Sequence, residues 1–152
     1  MTARIFDGPR ALLAAVGTAA GPTEWLTISQ EQVNLFAQAT GDDQWIHVDV
    51  ERAIEGPFGA PIAHGYLTMS LCAPFLAQLV QVNNIAMGIN YGVNKARFVS
   101  PVLVGSRIRA RGEIAEVVEV TGGVQAVVKI TIEIEGIDKP AAIVETVSRY
   151  LA

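Results

Sequence analysis

The residues best suited to carry chemistry lie in one short stretch, Gly-Asp-Asp-Gln-Trp-Ile-His at positions 41–47. The Asp42 carboxylate and the His47 imidazole stand five positions apart in it. If the two groups are held together, they could add or remove water next to a carbonyl, because both can exchange a proton with water near neutral pH. The spacing alone favours a solvated turn, in which Asp43 caps the next segment. Both interpretations stay open at this point.

A second candidate is the pair His64-Gly65, which opens a long apolar run. A glycine at a helix N-terminus lets a ligand oxygen approach bare backbone N–H groups, which can then act as an oxyanion hole. Close packing of the helix against a sheet would explain Gly65 equally well. For His64 itself we expect a hydrogen-bonding or packing role.

A third candidate is Asn-Tyr-Gly-Val-Asn-Lys-Ala-Arg-Phe at positions 90–98, which combines amides, a tyrosine and two cations. If this stretch is a regular strand, even-numbered residues from Asn90 to Asn94 face one side and odd-numbered residues from Tyr91 to Lys95 the other. Lys95 and Arg97 could bind phosphate groups. A solvated edge strand that carries charges is the simpler explanation for each cation taken alone.

Composition and motifs disfavour several other classes of protein. The net charge is −4 and no Lys/Arg run occurs, so we do not expect a nucleic-acid partner. Cys72 is the only cysteine and has apolar neighbours, so we expect it in the core, with no disulfide within the chain and no nucleophilic role. Two histidines disfavour a metal site, and no Walker loop, dinucleotide-binding fingerprint or serine-hydrolase motif occurs.

The sequence also carries expectations about location. No run of eighteen apolar residues occurs, so we expect no membrane span. Asp7, Gly8 and Pro9 interrupt the N-terminal apolar patch, which argues against a signal peptide. The single cysteine fits a reducing cytoplasm.

The elements that must position the candidate residues are predicted as helices first and strands afterwards. Ser29 can cap a helix over residues 30–39, which Gly41 ends. The run 64–80 is apolar almost all round, which predicts a buried central helix with a kink near Pro74. Shorter elements are expected at residues 8–18 (helix), 24–28 (strand) and 50–55 (one helical turn).

The last third is rich in Val, Ile and Thr and is predicted as a four-stranded antiparallel meander that an early strand can join. The strands are expected at residues 85–98, 107–120, 124–135 and 141–150. This makes the chain a single α+β domain over residues 1–152, with residues 1–22 as an N-terminal helical arm. Because 51% of the residues are hydrophobic and only 17% charged, we expect part of the surface to be buried against a second copy.

Three blocks of the sequence together resemble the MaoC-like (R)-specific enoyl-CoA hydratases, also called hydratase 2. They are residues 36–47 with Ala53 six positions later, Pro-Ile-Ala-His-Gly-Tyr-Leu at 61–67, and residues 90–98 followed by Pro101-Val102. The likeness extends in particular to actinobacterial MaoC-like hydratases and to members similar to nodulation protein N. It covers most of the chain, from about residue 24 to the end.

The resemblance implies a hot dog fold, in which an antiparallel sheet wraps a long central helix, and a homodimer that forms a double hot dog. It gives Asp42 and His47 the catalytic positions and Gly65 the oxyanion position. The implied reaction is the reversible hydration of a trans-2-enoyl-CoA to an (R)-3-hydroxyacyl-CoA. No metal or other cofactor is implied, because coenzyme A enters as part of the substrate.

The same resemblance implies a set of substrate-binding positions. They are Gln44, Trp45, Asn90, Tyr91, Asn94, Lys95 and Arg97. Gln44 and Trp45 stand where the family has Asn and Pro, so we expect a pocket of altered shape.

Two alternatives stay open beside the hydratase: an acyl-CoA thioesterase on the same fold, and a non-catalytic acyl-CoA-binding module. The sequence leaves open the acyl chain length, the pathway, and whether coenzyme A or acyl carrier protein carries the acyl group.

Overall fold

The computed structural model describes residues 3–152. The strands in chain order are β1 (Arg4–Phe6), β2 (Ala19–Ala20), β3 (Leu26–Thr27), β4 (Val80–Val82), β5 (Met87–Phe98), β6 (Arg107–Val120), β7 (Gly123–Ile134) and β8 (Ile137–Leu151). The helices are α1 (Gln30–Thr40), α2 (Trp45–Val48), α3 (Val50–Ile54), α4 (Gly65–Ser70) and α5 (Cys72–Leu79), and Pro9–Ala14 forms a 3₁₀-helix. None of the helices within residues 3–152 combines the length and apolarity needed to cross a membrane.

Helix α1 forms as its end signals predict. The Ser29 hydroxyl accepts a hydrogen bond from the Gln32 N–H at 3.1 Å, which satisfies one donor of the first turn. Gly41 ends the helix with a φ of 81°, a left-handed conformation that glycine adopts without steric cost. The chain therefore turns sharply at the residue before Asp42.

The predicted central helix is two helices, α4 and α5, which meet at Leu71. Pro74 has no N–H to donate to the Ser70 carbonyl, and its ring crowds that carbonyl, so the helix breaks in this turn. Leu67 and Phe75 are buried in the core, but Tyr66 is 66% exposed. The expectation of burial all round is therefore wrong for the single chain, because the sheet covers only one side of these helices.

The predicted meander is correct for three strands and wrong for the fourth. Strands β6, β7 and β8 pair antiparallel in succession, but β5 pairs with β8, which gives the order β2-β6-β7-β8-β5. After β5, residues 99–106 connect it to β6 at the other side of the sheet. Two hydrogen bonds join this connection to residues 61–63: the Ala63 N–H donates to the Val102 carbonyl at 2.8 Å, and the Val104 N–H donates to the Pro61 carbonyl at 2.9 Å. These bonds hold the connection against the loop before α4. Strand β3 joins β6, as expected for the early strand.

The N-terminal segment is not a helical arm. Strand β1 pairs in parallel with β4, and β2 pairs with β6, so the segment is joined to the rest of the domain by strand pairing. The predicted helix over residues 8–18 is replaced by the short 3₁₀-helix. It cannot extend, because Gly17 adopts a φ of 90° and its N–H bonds the Ile114 carbonyl at 2.7 Å. Leu12 is 1% exposed and belongs to the core.

This packing predicts different costs for two neighbouring leucines. Leu12→Ala removes a core side chain and should lower the free energy of unfolding by about 2–5 kcal/mol. Leu13→Ala is the matched control: Leu13 is 36% exposed, so we expect a change of about 0.5 kcal/mol or less. Urea unfolding followed by circular dichroism measures both. Equal, small effects would show that the segment does not contribute to the core.

Candidate active site

Asp42 lies in the short segment between α1 and α2, and His47 lies within α2. A carboxylate oxygen of Asp42, a ring nitrogen of His47 and a ring nitrogen of His64 all lie within 4.8 Å of one another. His47 is 6% exposed, and Asp42 is exposed in the single chain. The structure thus brings together the acid and the imidazole that the sequence singled out, with one group facing solvent and the other buried.

The hydrogen bond of His47 determines which of its nitrogens is available for proton transfer. Its Nδ1 lies 2.7 Å from the Ile62 carbonyl oxygen. A carbonyl can only accept, so Nδ1 carries the hydrogen and the neutral ring keeps its lone pair on Nε2. The Ile62 carbonyl therefore sets the tautomer of His47 that can act as a base.

The main chain around His47 is held from two further directions. The Gln30 Nε2 donates to the His47 carbonyl at 2.8 Å, and the Ile62 N–H donates to the Ile46 carbonyl at 3.0 Å. We did not predict the role of Gln30 from the sequence. No local pattern signals it, because the contact joins the first turn of α1 to a residue 17 positions later.

His64 completes the group, with the hydrogen-bonding role expected for it. It is 2% exposed, and its Nε2 lies 2.8 Å from the Asp42 main-chain carbonyl, so Nε2 carries the hydrogen. Its ring stacks on the His47 ring with centroids 3.9 Å apart and an interplanar angle of 23°. Phe36 packs beside the His64 ring, at 4.8 Å between centroids.

Asp42, His47 and His64 are also the donor types that a divalent cation takes. A metal ion must lie close to the plane of each imidazole that binds it, about 2.0–2.1 Å from the nitrogen. The two stacked rings are nearly parallel, so their planes do not meet near the nitrogens, and one nitrogen of each ring faces a main-chain carbonyl. This arrangement fits proton transfer better than metal binding.

Gly65 begins α4 directly after His64. The first bond of the helix runs from the Thr68 N–H to the His64 carbonyl at 3.1 Å, so the Gly65 N–H lies in the first turn, where no earlier helical carbonyl exists to accept it. A Cβ at Gly65 would come within 3.1 Å of the Phe98 ring. Close packing against Phe98 thus favours glycine at this position, and the first turn of α4 leaves its N–H without a helical partner.

An apolar cavity of about 340 Å³ opens beside Gly65 and is lined by Thr68 and Phe98 among others. Its volume lies at the lower end of the range typical of small-molecule sites.

The two residues that replace the family's Asn and Pro are placed differently. Gln44 is exposed and precedes α2, and its carbonyl accepts the His47 N–H at 3.0 Å. The Arg52 guanidinium carbon lies over the Trp45 ring, 4.2 Å from its centroid. The ring also packs close to Gly56, where a Cβ would come within 3.0 Å of it. Trp45 therefore packs between α2 and the end of α3.

The expected alternation along residues 90–95 is wrong, because β5 contains two irregularities. Its register against β8 shifts between Asn90 and Gly92 and again between Val93 and Lys95. As a result Asn90 and Val93 line the same cavity, of about 170 Å³, against α4 and α5. A bulge inserts an extra residue and so reverses the alternation after it.

The remaining polar side chains of β5 are exposed at the sheet edge. Tyr91 carries the Arg149 guanidinium 3.7 Å from its ring centroid. Lys95 lies opposite Glu145 and Arg97 opposite Ile143, and Asn94 falls in the second irregularity. Within residues 3–152, no hydrogen bond joins these side chains to Asp42 or His47, so the substrate contacts of β5 stay a prediction.

Cys72 lies in the core as expected. It is 5% exposed, and burial raises the pKa of its thiol to about 12. A thiol is not a nucleophile until it ionises, so this cysteine is unreactive near neutral pH.

Comparison with known proteins identifies the family of the chain that carries this site. The family model described as "MaoC like domain" matches residues 12–136. The chain belongs to the MaoC-like dehydratase family. A MaoC-like dehydratase is a hydro-lyase, and the antiparallel sheet around a central helical element is the hot dog fold expected from the resemblance.

Relatives of this MaoC-like chain cover nearly its whole length. The 3-hydroxyacyl-thioester dehydratase Z of Mycobacterium tuberculosis is 50% identical over 150 residues, which are 98% of this chain and 99% of that protein. Nodulation protein N of Rhizobium leguminosarum is 42% identical over 130 residues, which are 83% of this chain and 80% of that protein. The solved structure of the (R)-hydratase from A. caviae, involved in PHA biosynthesis, is 26% identical with a TM-score of 0.71. The match covers 88% of this chain and 94% of that one.

The two imidazoles are predicted to be opposite tautomers when neutral: His47 carries hydrogen on Nδ1 and His64 on Nε2. Long-range ¹H–¹⁵N NMR spectra distinguish the two forms, and the chain has only two histidines. A His64→Gln variant assigns the signals. Finding the same tautomer in both rings would contradict the hydrogen bonds described here.

Proposed function

We propose that this MaoC-like dehydratase catalyses the (R)-specific hydration of trans-2-enoyl-CoA thioesters to (R)-3-hydroxyacyl-CoA, and the reverse dehydration. The observation that carries the proposal is the convergence of the Asp42 carboxylate and a His47 ring nitrogen within 4.8 Å, next to the helix that Gly65 begins. Two groups at this separation can share hydrogen bonds to one water molecule.

In the proposed step, the water oxygen bonds to C3 of the enoyl thioester as the C2=C3 double bond breaks. The proton lost by the water passes to the Asp42/His47 pair, where the lone pair of the His47 Nε2 accepts it. The pair returns a proton to C2, so one water adds across the double bond and the enzyme ends as it began. Dehydration follows the same path in reverse.

The thioester oxygen gains negative charge during this step, because electrons from the double bond move towards the carbonyl. The Gly65 N–H is proposed to hydrogen-bond that oxygen, which stabilises the enolate-like transition state more than the substrate. The cavity beside Gly65 has a mostly apolar lining, which is proposed to keep water from this bond and so to strengthen it. No further cofactor takes part in the proposal.

The substrate-binding positions extend this proposal beyond the reacting atoms. Lys95 and Arg97 are exposed cations on β5, the strand that ends at Phe98 beside Gly65, and they are proposed to meet the phosphates of coenzyme A. Gln44 and Trp45 lie in the chain between Asp42 and His47, where they would shape the entrance. Hydration rates over enoyl-CoA substrates of graded length, with product chirality, test the substrate range.

We also propose that the chain is a homodimer joined through β5 and the uncovered side of α4 and α5. Strand β5 is an edge strand with exposed apolar residues, including Ile89 at 38% and Val93 at 45%. The cavity lined by Val93 and Ala73 continues this apolar surface onto α5. A second copy would pair with the free edge and cover both surfaces.

Replacing the proposed catalytic acid should abolish turnover without unfolding the chain. Asp42→Asn keeps the size of the side chain but removes its charge, so we expect the rate of crotonyl-CoA hydration to fall by about 10²-fold or more. Asp43→Asn, one residue away, is the control and should keep activity near that of the unaltered enzyme. Loss of the enoyl absorbance measures the rate. Full activity of the Asp42→Asn variant would exclude the mechanism.

The same assay separates hydration from thioester hydrolysis. A hydratase removes the enoyl absorbance without releasing a free thiol, whereas a thioesterase releases coenzyme A, which a thiol reagent detects. Thiol release at the rate of enoyl loss would favour the thioesterase. Tight binding of enoyl-CoA with neither signal would favour a binding module.

The proposed dimer predicts a mass of twice 16.2 kDa by sedimentation equilibrium. Val93→Glu places a charge at the edge strand and should shift the chain to the monomer. Val118→Glu is the matched control, because Val118 is also exposed, at 40%, but lies on β6. Dissociation by both variants, or by neither, would contradict an interface at β5.

A further inference from the structure

We propose that His64 is a positioning residue for the Asp42/His47 pair, an inference that rests on the proposed hydratase function. It would hold Asp42 through the main chain and His47 through ring stacking, without touching the substrate. Three observations support this role: two are contacts of the His64 ring, and the third is a buried ring nitrogen without a hydrogen-bond partner.

The first observation is the hydrogen bond from His64 to the main chain of the catalytic acid. The His64 Nε2 donates to the Asp42 carbonyl at 2.8 Å across 22 positions of sequence. Asp42 follows Gly41, which has a left-handed conformation. Within residues 3–152, the one other hydrogen bond between the Asp42 main chain and a side chain runs from the Asp42 N–H to the Thr40 hydroxyl, at 3.3 Å. Without the His64 bond, this exposed turn would be free to move its carboxylate.

The second observation is the stacking of the two imidazoles. The His47 ring makes two contacts: its Nδ1 hydrogen-bonds the Ile62 carbonyl, and its face stacks on the His64 ring with centroids 3.9 Å apart. The first contact fixes the direction of the ring, and the second limits its tilt. One buried side chain thus touches both members of the proposed catalytic pair.

The third observation is the unsatisfied second nitrogen of His64. Its Nδ1 is buried and has no hydrogen-bond partner within the described residues. A leucine at this position would fill much of the space without a buried polar atom, and burying an unpaired acceptor costs free energy. A histidine is therefore not the residue that packing alone would favour.

The role predicts a specific order among three variants in crotonyl-CoA hydration. His64→Gln loses the ring that stacks on His47 but keeps a donor that can reach the Asp42 carbonyl, so its kcat should stay within about 5-fold of the unaltered enzyme. His64→Asn carries the same amide on a side chain one methylene shorter, and His64→Leu carries no donor. Both should lose about 100-fold in kcat, because a displacement of about 1 Å at reacting groups has this effect. KM should change by no more than about 3-fold in all of them.

The outcomes separate this inference from the proposed function. If the unaltered enzyme hydrates crotonyl-CoA but the Gln and Asn variants are equally active or equally impaired, the positioning role is overturned and the hydratase stands. A loss confined to KM would also overturn it. If His64→Leu does not fold, the comparison of His64→Gln with His64→Asn decides whether the positioning role holds, since both carry an amide. If neither amide variant folds, His64 serves the fold alone and the positioning role is overturned. No turnover by the unaltered enzyme overturns both proposals.

Discussion

Each histidine of this chain uses one ring nitrogen to donate a hydrogen bond to a main-chain carbonyl, and the site depends on these two bonds. The Ile62 carbonyl holds His47 and leaves its Nε2 lone pair free, whereas the Asp42 carbonyl accepts from His64. The Ile62 carbonyl belongs to a loop that main-chain hydrogen bonds hold in place, so the His47 ring that donates to it is held as well. On the other side, the buried His64 ring holds the main chain of Asp42. Asp42 and His47 are thus held by separate contacts rather than by each other.

The fold supplies the Ile62 carbonyl through a loop that is joined to both sides of the domain. The Ile62 N–H bonds the α2 turn at Ile46, and the neighbouring Ala63 N–H bonds Val102 in the connection between β5 and β6. The same connection forces β5 to the far edge of the sheet, beside β8. One crossing therefore accompanies the placement of His47, of Phe98 against Gly65, and of β5 as an edge strand with exposed apolar residues.

The sequence predicts those parts of the molecule that depend on local chemistry. The cap at Ser29, the left-handed Gly41, the break caused by Pro74 and the hairpin strands all follow from side chains within a few positions of one another. The strand order, the bulges of β5 and the contact of Gln30 with His47 could not be predicted, because each depends on residues far apart in the chain. The Asp42/His47 convergence belongs to the second kind. Spacing alone favoured a turn, and only the resemblance to the family favoured a site.

The central claim is that one water lies between Asp42 and His47 while the Gly65 N–H holds the thioester oxygen. A crystal structure of the Asp42→Asn variant with bound crotonyl-CoA tests this claim most directly, since the substrate would persist in it. We predict a water in hydrogen-bond contact with residue 42 and the His47 Nε2, next to C3 of the substrate, and the thioester oxygen roughly 3 Å from the Gly65 nitrogen. A thioester oxygen bound elsewhere, or a C3 atom remote from both side chains, would contradict the account.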